Sequence, residues 1–159
     1  MNNALHISEH GLAIIKKSEG CLLESYIDTH DSHGAPLYAI GYGHTNKAGL
    51  PNVTAGMLIT QEQADQILKQ DIIPYENYIK KTVTVPLNQN QFDALCSFTF
   101  NAGQGNLKTL VTESGLNDGN YDGVAPAMMN FNNSQGKVLI GLTHRRQSEG
   151  KLFNTPVGD

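Results

Sequence analysis

A helical repeat that stops at Gly20 and does not return until Thr60 is the feature that most constrains this chain. Ser8 reads as a helix N-cap, with Glu9 in the first turn, where the helix dipole favours an acid. Leu12, Ile15 and Glu19 follow at helical spacing, and Ile14 widens the apolar face. Lys16 and Lys17 suit the last turn, and Gly20 suits the position just beyond it. The spacing predicts a helix over 8–19 with Glu19 at its carbonyl end. A carboxylate placed there meets partial negative charge, which favours the protonated form that a general acid needs.

Beyond Gly20 the pattern changes. Tyr26-Ile27 and Leu37-Tyr38-Ala39-Ile40 read as short strands rich in β-formers, separated by a polar stretch from Thr29 to Pro36. Gly41 and Gly43 mark a tight bend, and loops continue to Gly56, so that a small β lobe covers about 20–59.

The rest reads as helices. Thr60-Gln61-Glu62-Gln63 is a capping box that opens a connecting helix over about 60–80, and Pro74 is expected to kink or split it near Ile73. Asn88-Gln89-Asn90-Gln91 is a second capping box. It opens a helix through Phe100 with apolar groups on most of its circumference, the signature of a central core helix. Gly103 and Gly105 are expected to end it. Shorter helices are read over 107–116 and 124–131, a loop over 132–136, and a last helix over about 142–153. The expected fold is α+β, mainly α. It is a single domain over 1–159, with a small β-containing N-terminal lobe and a helical lobe over about 86–159.

Composition sets outer limits. A chain of 159 residues can bury a core without disulfides or metals. The net charge of -4 argues against electrostatic capture of nucleic acid, which needs clustered positive charge. The N-terminal segment has no basic region followed by an apolar one, and no apolar run approaches the ~20 residues of a membrane span. The chain is therefore read as made in the cytoplasm without a signal peptide, with any export supplied from outside. Cys96 lies on an apolar stripe with Phe92 and Leu95 and reads as an inert buried thiol. A redox role for Cys21, two residues after Glu19, is the weaker reading, because no adjacent cation marks a lowered thiol pKa.

Most carboxylate pairs are solvated surface charges. Glu19 and Asp28 differ because they sit on two elements that meet at a turn, one at a helix end and one on a more open segment. Environments that push two carboxyl pKa values apart are what glycoside hydrolysis uses, one acid for the leaving oxygen and one base for water. His30, Asp31, His33 and His44 are the rival, as a zinc site. They lack helical H-E-x-x-H spacing and a nearby cysteine, so a hydrated loop outweighs it. No Gly-x-Ser-x-Gly elbow or P-loop exists. Arg145-Arg146 reads as ion-pair partners for carboxylates rather than a phosphate patch.

Several segments, taken in order, resemble the phage-type lysozymes, the glycoside hydrolase family 24 endolysin muramidases, over nearly the whole chain. They are Ile15-Lys16-Lys17-Ser18-Glu19-Gly20, Tyr26-Ile27-Asp28, Ile40-Gly41-Tyr42-Gly43-His44-Thr45 and Thr60-Gln61-Glu62-Gln63-Ala64, then Pro86–Leu95, Ser97–Gly103 and Gly141-Leu142-Thr143-His144-Arg145-Arg146. The resemblance implies a lysozyme-like fold and cleavage of the β-1,4 bond between N-acetylmuramic acid and N-acetylglucosamine in peptidoglycan, without a cofactor or metal.

By the same resemblance, Glu19 is the general acid, and Asp28 is the second carboxylate, which positions or activates the water. Arg145 or Arg146 is the arginine that pairs with the catalytic glutamate, and Phe100 and Asn101 are the cleft-floor residues. His44 closes the Ile-Gly-Tyr-Gly-His run as a supporting residue. A monomer is implied, acting on peptidoglycan strands after release by a membrane-permeabilising, holin-type partner.

Two departures stand out. Related chains carry threonine where this one has Ala39, and the turn after Asp28 is longer, so Asp31 competes for the aspartate role. A hydroxyl from the long loop, Ser32, is the sequence's own candidate to replace the threonine. The family's tryptophan in the fourth-helix region is missing, with Phe131 nearby. The alternatives are a catalytically weak glycan-binding relative, or a chitin-active or retaining variant.

Overall fold

The computed structural model describes residues 1–158. The chain divides into two compact units, Ile15–Ile73 and Met1–Ile14 together with the chain from Pro74 onward.

The unit over Ile15–Ile73 holds the end of α1 (Glu9–Glu19), β1 (Leu22–His30), β2 (Pro36–Gly41) and the first half of α2 (Gln61–Thr82). Ile15, Ala39, Ile40, Val53, Ala64, Leu68 and Ile72 form its buried core. Gly20 takes φ +69°, as expected of the residue that stops α1, and its N–H bonds the Lys16 carbonyl at 2.9 Å.

β1 and β2 make an antiparallel hairpin, with Leu22 opposite Gly41, Tyr26 opposite Ala39, Ile27 opposite Tyr38 and Thr29 opposite Leu37. β1 is longer than the Tyr26-Ile27 core expected from sequence. Two extra residues between Leu22 and Tyr26 break the alternation that identifies a strand. The outer edge of β1 is paired as well, since Leu23 O accepts from Ile59 N and Met57 O from Ser25 N, both at 2.9 Å. The Gly41-Tyr42-Gly43 bend is closed by reciprocal Ile40–His44 backbone bonds of 3.0 and 2.9 Å, with φ of +65° and +80° at the two glycines.

The second unit is built on α3 (Gln89–Ala102), with Phe92, Ala94, Leu95, Cys96 and Phe98 at 0% exposure. It packs against α4 (Gln104–Ser114) and α6 (Ile140–Phe153), and α5 (Val124–Met128) packs on both α4 and α6. Both expected capping boxes form. Asn88 Oδ1 accepts from Gln91 N at 2.8 Å, and Thr60 Oγ1 from Gln63 N at 3.1 Å. The start of α1 belongs to this unit. The Ser8 hydroxyl caps Gly11 N at 3.1 Å and donates to buried Asp93, while Ile7 N donates to Glu76 at 2.6 Å.

Four local expectations change. α2 continues through Pro74 as one helix, so the expected split does not occur, and the proline leaves the Gln70 carbonyl without its helical donor. Gly103 alone ends α3 and, at φ +95°, also starts α4, so Gly105 lies inside a helix that begins earlier than 107. The helix read over 124–131 is α5 followed by a 3-10 turn over Met129–Phe131. The loop read over 132–136 holds a small hairpin, β3 (Asn133–Ser134) and β4 (Lys137–Val138). It turns on Gln135 and Gly136 at φ +52° and +80°.

Candidate active site

Glu19 is the last residue of α1 and half-buried, where the local punctuation puts it. Asp28 lies on β1 and is exposed. Its register is special: Ile27 faces Tyr38 and Thr29 faces Leu37, so Asp28 is the extra residue of a β-bulge with no partner opposite. A bulge bends the strand and re-aims the side chain that it inserts. A pocket of about 140 Å³ beside it has Asp28, Thr29, Leu37, Tyr38, Thr45 and Val53 among its walls.

Asp31, the competing aspartate, has a different task. Its Oδ1 accepts from His33 N at 2.8 Å and Ala35 N at 3.0 Å, and its own N–H bonds the Ala35 carbonyl at 2.8 Å. That carboxylate shapes the hairpin turn. Ser32 is exposed within the same turn.

Ala39 is 1% exposed and contributes a methyl group only. Its register partner Tyr26 is half-buried, and the Tyr26 phenol is raised above 10.0 by burial first, then by the negative charges of Asp28 and Glu19. Sequence reasoning gave Tyr26 no chemical role, because its pairing with Ala39 depends on a bulged register.

His44 is buried at 1% exposure. Its Nδ1 lies 2.7 Å from Asp71 Oδ2 and its Nε2 lies 2.8 Å from the Pro51 carbonyl. It thus braces the loop after β2 against α2 and takes no part in a loop metal cluster. Among the described residues no group of three or more His, Cys, Asp or Glu side chains could hold a metal ion. A second brace joins Lys16 of α1, Tyr42 and the start of α2. Asp65 Oδ1 lies 3.2 Å from Lys16 Nζ and accepts from Tyr42 OH at 3.2 Å and Gln61 Nε2 at 3.0 Å. These bonds, with Gln61 the largest contributor, hold the Asp65 carboxyl below its usual value.

In the second unit, Arg145 and Arg146 converge on Glu149. Arg145 Nε lies 3.2 Å from Oε2 and Arg146 Nε lies 2.8 Å from Oε1, and Ser97 Oγ donates to Oε2 at 2.6 Å. Arg146 is fully buried, stacks on Phe98 with 4.8 Å from Cζ to the ring centre, and donates to Asn101 Oδ1 at 2.7 Å. Glu149 carried no role in the sequence reading, although its i,i+3 and i,i+4 spacing from the two arginines is the signal that points to it. Phe100 packs edge-on against Tyr75 at 5.6 Å. Asn101 opens onto a groove of about 440 Å³ that also has Asn106, Asn130, Phe131 and Asn133 in its walls. Three of these asparagines were missed because they come from separate elements, α4, the 3-10 turn after α5 and β3. Cys96 is buried, and burial pushes its thiol well above the usual range, which leaves it inert.

A helix-end acid followed by a bulged antiparallel hairpin, a long helix and a bundle around a buried central helix define a lysozyme-like α+β hydrolase. The phage lysozyme family model matches residues 16–149. An endolysin of Acyrthosiphon pisum secondary endosymbiont phage 1 is 38% identical, covering 95% of this chain and 99% of that protein. The endolysin of Salmonella phage P22 is 40% identical over 94% of this chain and 98% of its own length. Among solved structures, the muramidase domain of SpmX from Asticaccaulis excentricus superposes with a TM-score of 0.80 at 35% identity, covering 95% of this chain and 99% of that one. The chain belongs to the phage lysozyme family, and with it to the glycosidases that lyse peptidoglycan, the muramidases.

Proposed function

We propose that Glu19 and Asp28 hydrolyse the β-1,4 bond between N-acetylmuramic acid and N-acetylglucosamine, with Glu19 as general acid and Asp28 orienting the water. The observation that carries this reading is the bulge: Asp28 is the one β1 residue between Ile27 and Thr29 without a partner on β2, in the same compact unit as the helix end that bears Glu19. The turn-forming bonds of Asp31 favour Asp28 over it. Protonation of the leaving oxygen by Glu19 is worth about 10²–10⁴ in rate. The asparagine-walled groove beside Asn101 suits the amide and hydroxyl groups of a glycan strand and its peptide stems. Arg145 or Arg146, both held by Glu149, is the supporting arginine of this reading.

The 1–159 chain is read as one lysozyme-like domain acting as a monomer. No helix among the described residues is long and apolar enough to cross a membrane. With endolysins among its relatives, the chain is proposed to wait in the host cytoplasm for a holin-type permeabilising partner.

Muropeptide analysis of purified cell walls after digestion, comparing the natural chain with Glu19→Gln, tests the reading. The natural chain is expected to release products with muramic acid at the new reducing end, and Glu19→Gln to release none while keeping its helical circular dichroism. Lysis by Glu19→Gln at the natural rate would overturn the assignment, and the anomer of the first product separates inversion from retention.

A further inference from the structure

Position 39 raises a chemical question. A water held for attack needs fixed hydrogen-bond partners on more than one side, and buried Ala39 supplies none from its side chain. Its register partner across the ladder is Tyr26. Antiparallel partners project their side chains from the same face of a hairpin, with Cβ atoms roughly 5 Å apart. Tyr26 therefore stands over the methyl group of Ala39, two residues before the bulge at Asp28. Both Asp28 and Glu19 act electrostatically on its phenol.

Four other hydroxyls of this unit are engaged or placed elsewhere, and Tyr38 and Thr45 line the small pocket at the bulge. Ser25 Oγ donates to the Thr54 carbonyl at 2.6 Å and accepts from Met57 N at 3.2 Å. Tyr42 OH donates to Asp65 and accepts from Gln61. Ser32 is exposed in the turn that Asp31 organises. Thr29 pairs with Leu37 on the far side of the bulge and faces the small pocket there.

We propose that the Tyr26 phenol holds the hydrolytic water beside Asp28, supplying the hydroxyl that Ala39 lacks. The inference rests on the reading of Glu19 and Asp28 as the working pair. In the water-attack step the water oxygen bonds to the anomeric carbon as the glycosidic C–O bond breaks. Glu19 gives its proton to the leaving oxygen, and Asp28 takes one from the water. Tyr26 keeps its own proton throughout: it accepts a hydrogen bond from the water's second hydrogen and donates to a carboxylate oxygen. A single phenol thus does the orienting that a short hydroxyl at position 39 would do from the opposite strand.

The test uses the full chain on soluble peptidoglycan strands, with kcat and KM measured separately and folding followed by circular dichroism. Tyr26→Phe removes one oxygen and keeps the ring. It is expected to lower kcat by about 10- to 100-fold with KM unchanged, the mark of an interaction made in the transition state. Returning a hydroxyl from the other strand, as Tyr26→Phe/Ala39→Ser or Tyr26→Phe/Ala39→Thr, is expected to recover part of the lost kcat, which a packing role for the ring would not allow. Thr29→Val is expected to keep the natural kcat. The proposal is overturned if Tyr26→Phe turns over at the natural rate, if neither hydroxyl at position 39 recovers activity, or if Thr29→Val alone reproduces the loss. Glu19→Gln, run in parallel, reports on the underlying reading independently: activity in that variant removes the carboxylate pair itself.

Discussion

His44 Nδ1 lies 2.7 Å from Asp71 Oδ2, and neither side chain is more than 8% exposed. The other ring nitrogen faces the Pro51 carbonyl at 2.8 Å, and a carbonyl only accepts. Nε2 therefore donates to that carbonyl, and the Nδ1–Asp71 contact ties the loop after β2 to α2, with burial raising the Asp71 carboxyl above its usual value. Asp71→Asn keeps the volume and removes the charge. It is expected to destabilise the protein by about 1–3 kcal/mol. Urea unfolding followed by circular dichroism measures this as a lowered midpoint at unchanged slope, and an unchanged midpoint would mean that the pair adds nothing net.

The two aspartates near the hairpin should separate cleanly in kinetics. Asp28→Asn is expected to lose wall lysis with its fold intact, because Asp28 is exposed and is the extra residue of the bulge. Asp31→Asn weakens a turn and should retain kcat while lowering the thermal midpoint. The reverse pattern in a cell-wall turbidity assay would transfer the catalytic role to Asp31.

Tyr26 reports on both carboxylates. Burial raises its pKa above 10.0, and the charges of Asp28 and Glu19 add to the rise. The folded state thus holds the phenolic proton more tightly than the unfolded chain does. The stability so contributed is complete below the unfolded value and is lost as pH rises through the folded one. In a ¹³Cζ-tyrosine NMR titration the Tyr26 signal should move only above pH 10. Asp28→Asn and Glu19→Gln should each bring it to lower pH by removing a negative charge. A Tyr26 signal that ignores both substitutions contradicts the electrostatic coupling.

Glu149 is fully buried between two guanidinium groups. Glu149→Ala removes the buried carboxylate that two guanidinium groups share, a type of change that costs about 3–5 kcal/mol. Differential scanning calorimetry should register a large drop in Tm. A Glu149→Ala protein as stable as the natural one would show that the arginines find other partners at no loss.

Much of the fold was legible because its signals are local. Ser8, the Thr60–Gln63 box and the Asn88–Gln91 box each satisfy helix N–H groups within three residues, so sequence alone places those helix starts. Gly20 is legible for the same reason. The unbroken α2 was not, since proline costs a helix one hydrogen bond locally while the packing that retains the helix is spread along its length.

What the sequence by itself determined is the position of Glu19: an amphipathic run, two lysines and a left-handed glycine fix an acid at the end of α1 whatever the rest of the chain does. The tertiary structure alone decided how the other site residues are partnered within each unit. Asp28 is singled out by a register shift between strands that are joined through an eleven-residue-distant partner, Tyr26 stands over Ala39 only through that same register, and Arg146 meets Asn101 across two helices. These relationships join residues far apart in sequence. They exist only once burial of apolar surface has fixed the register of the hairpin and the packing of α3 on α6, which no local pattern encodes.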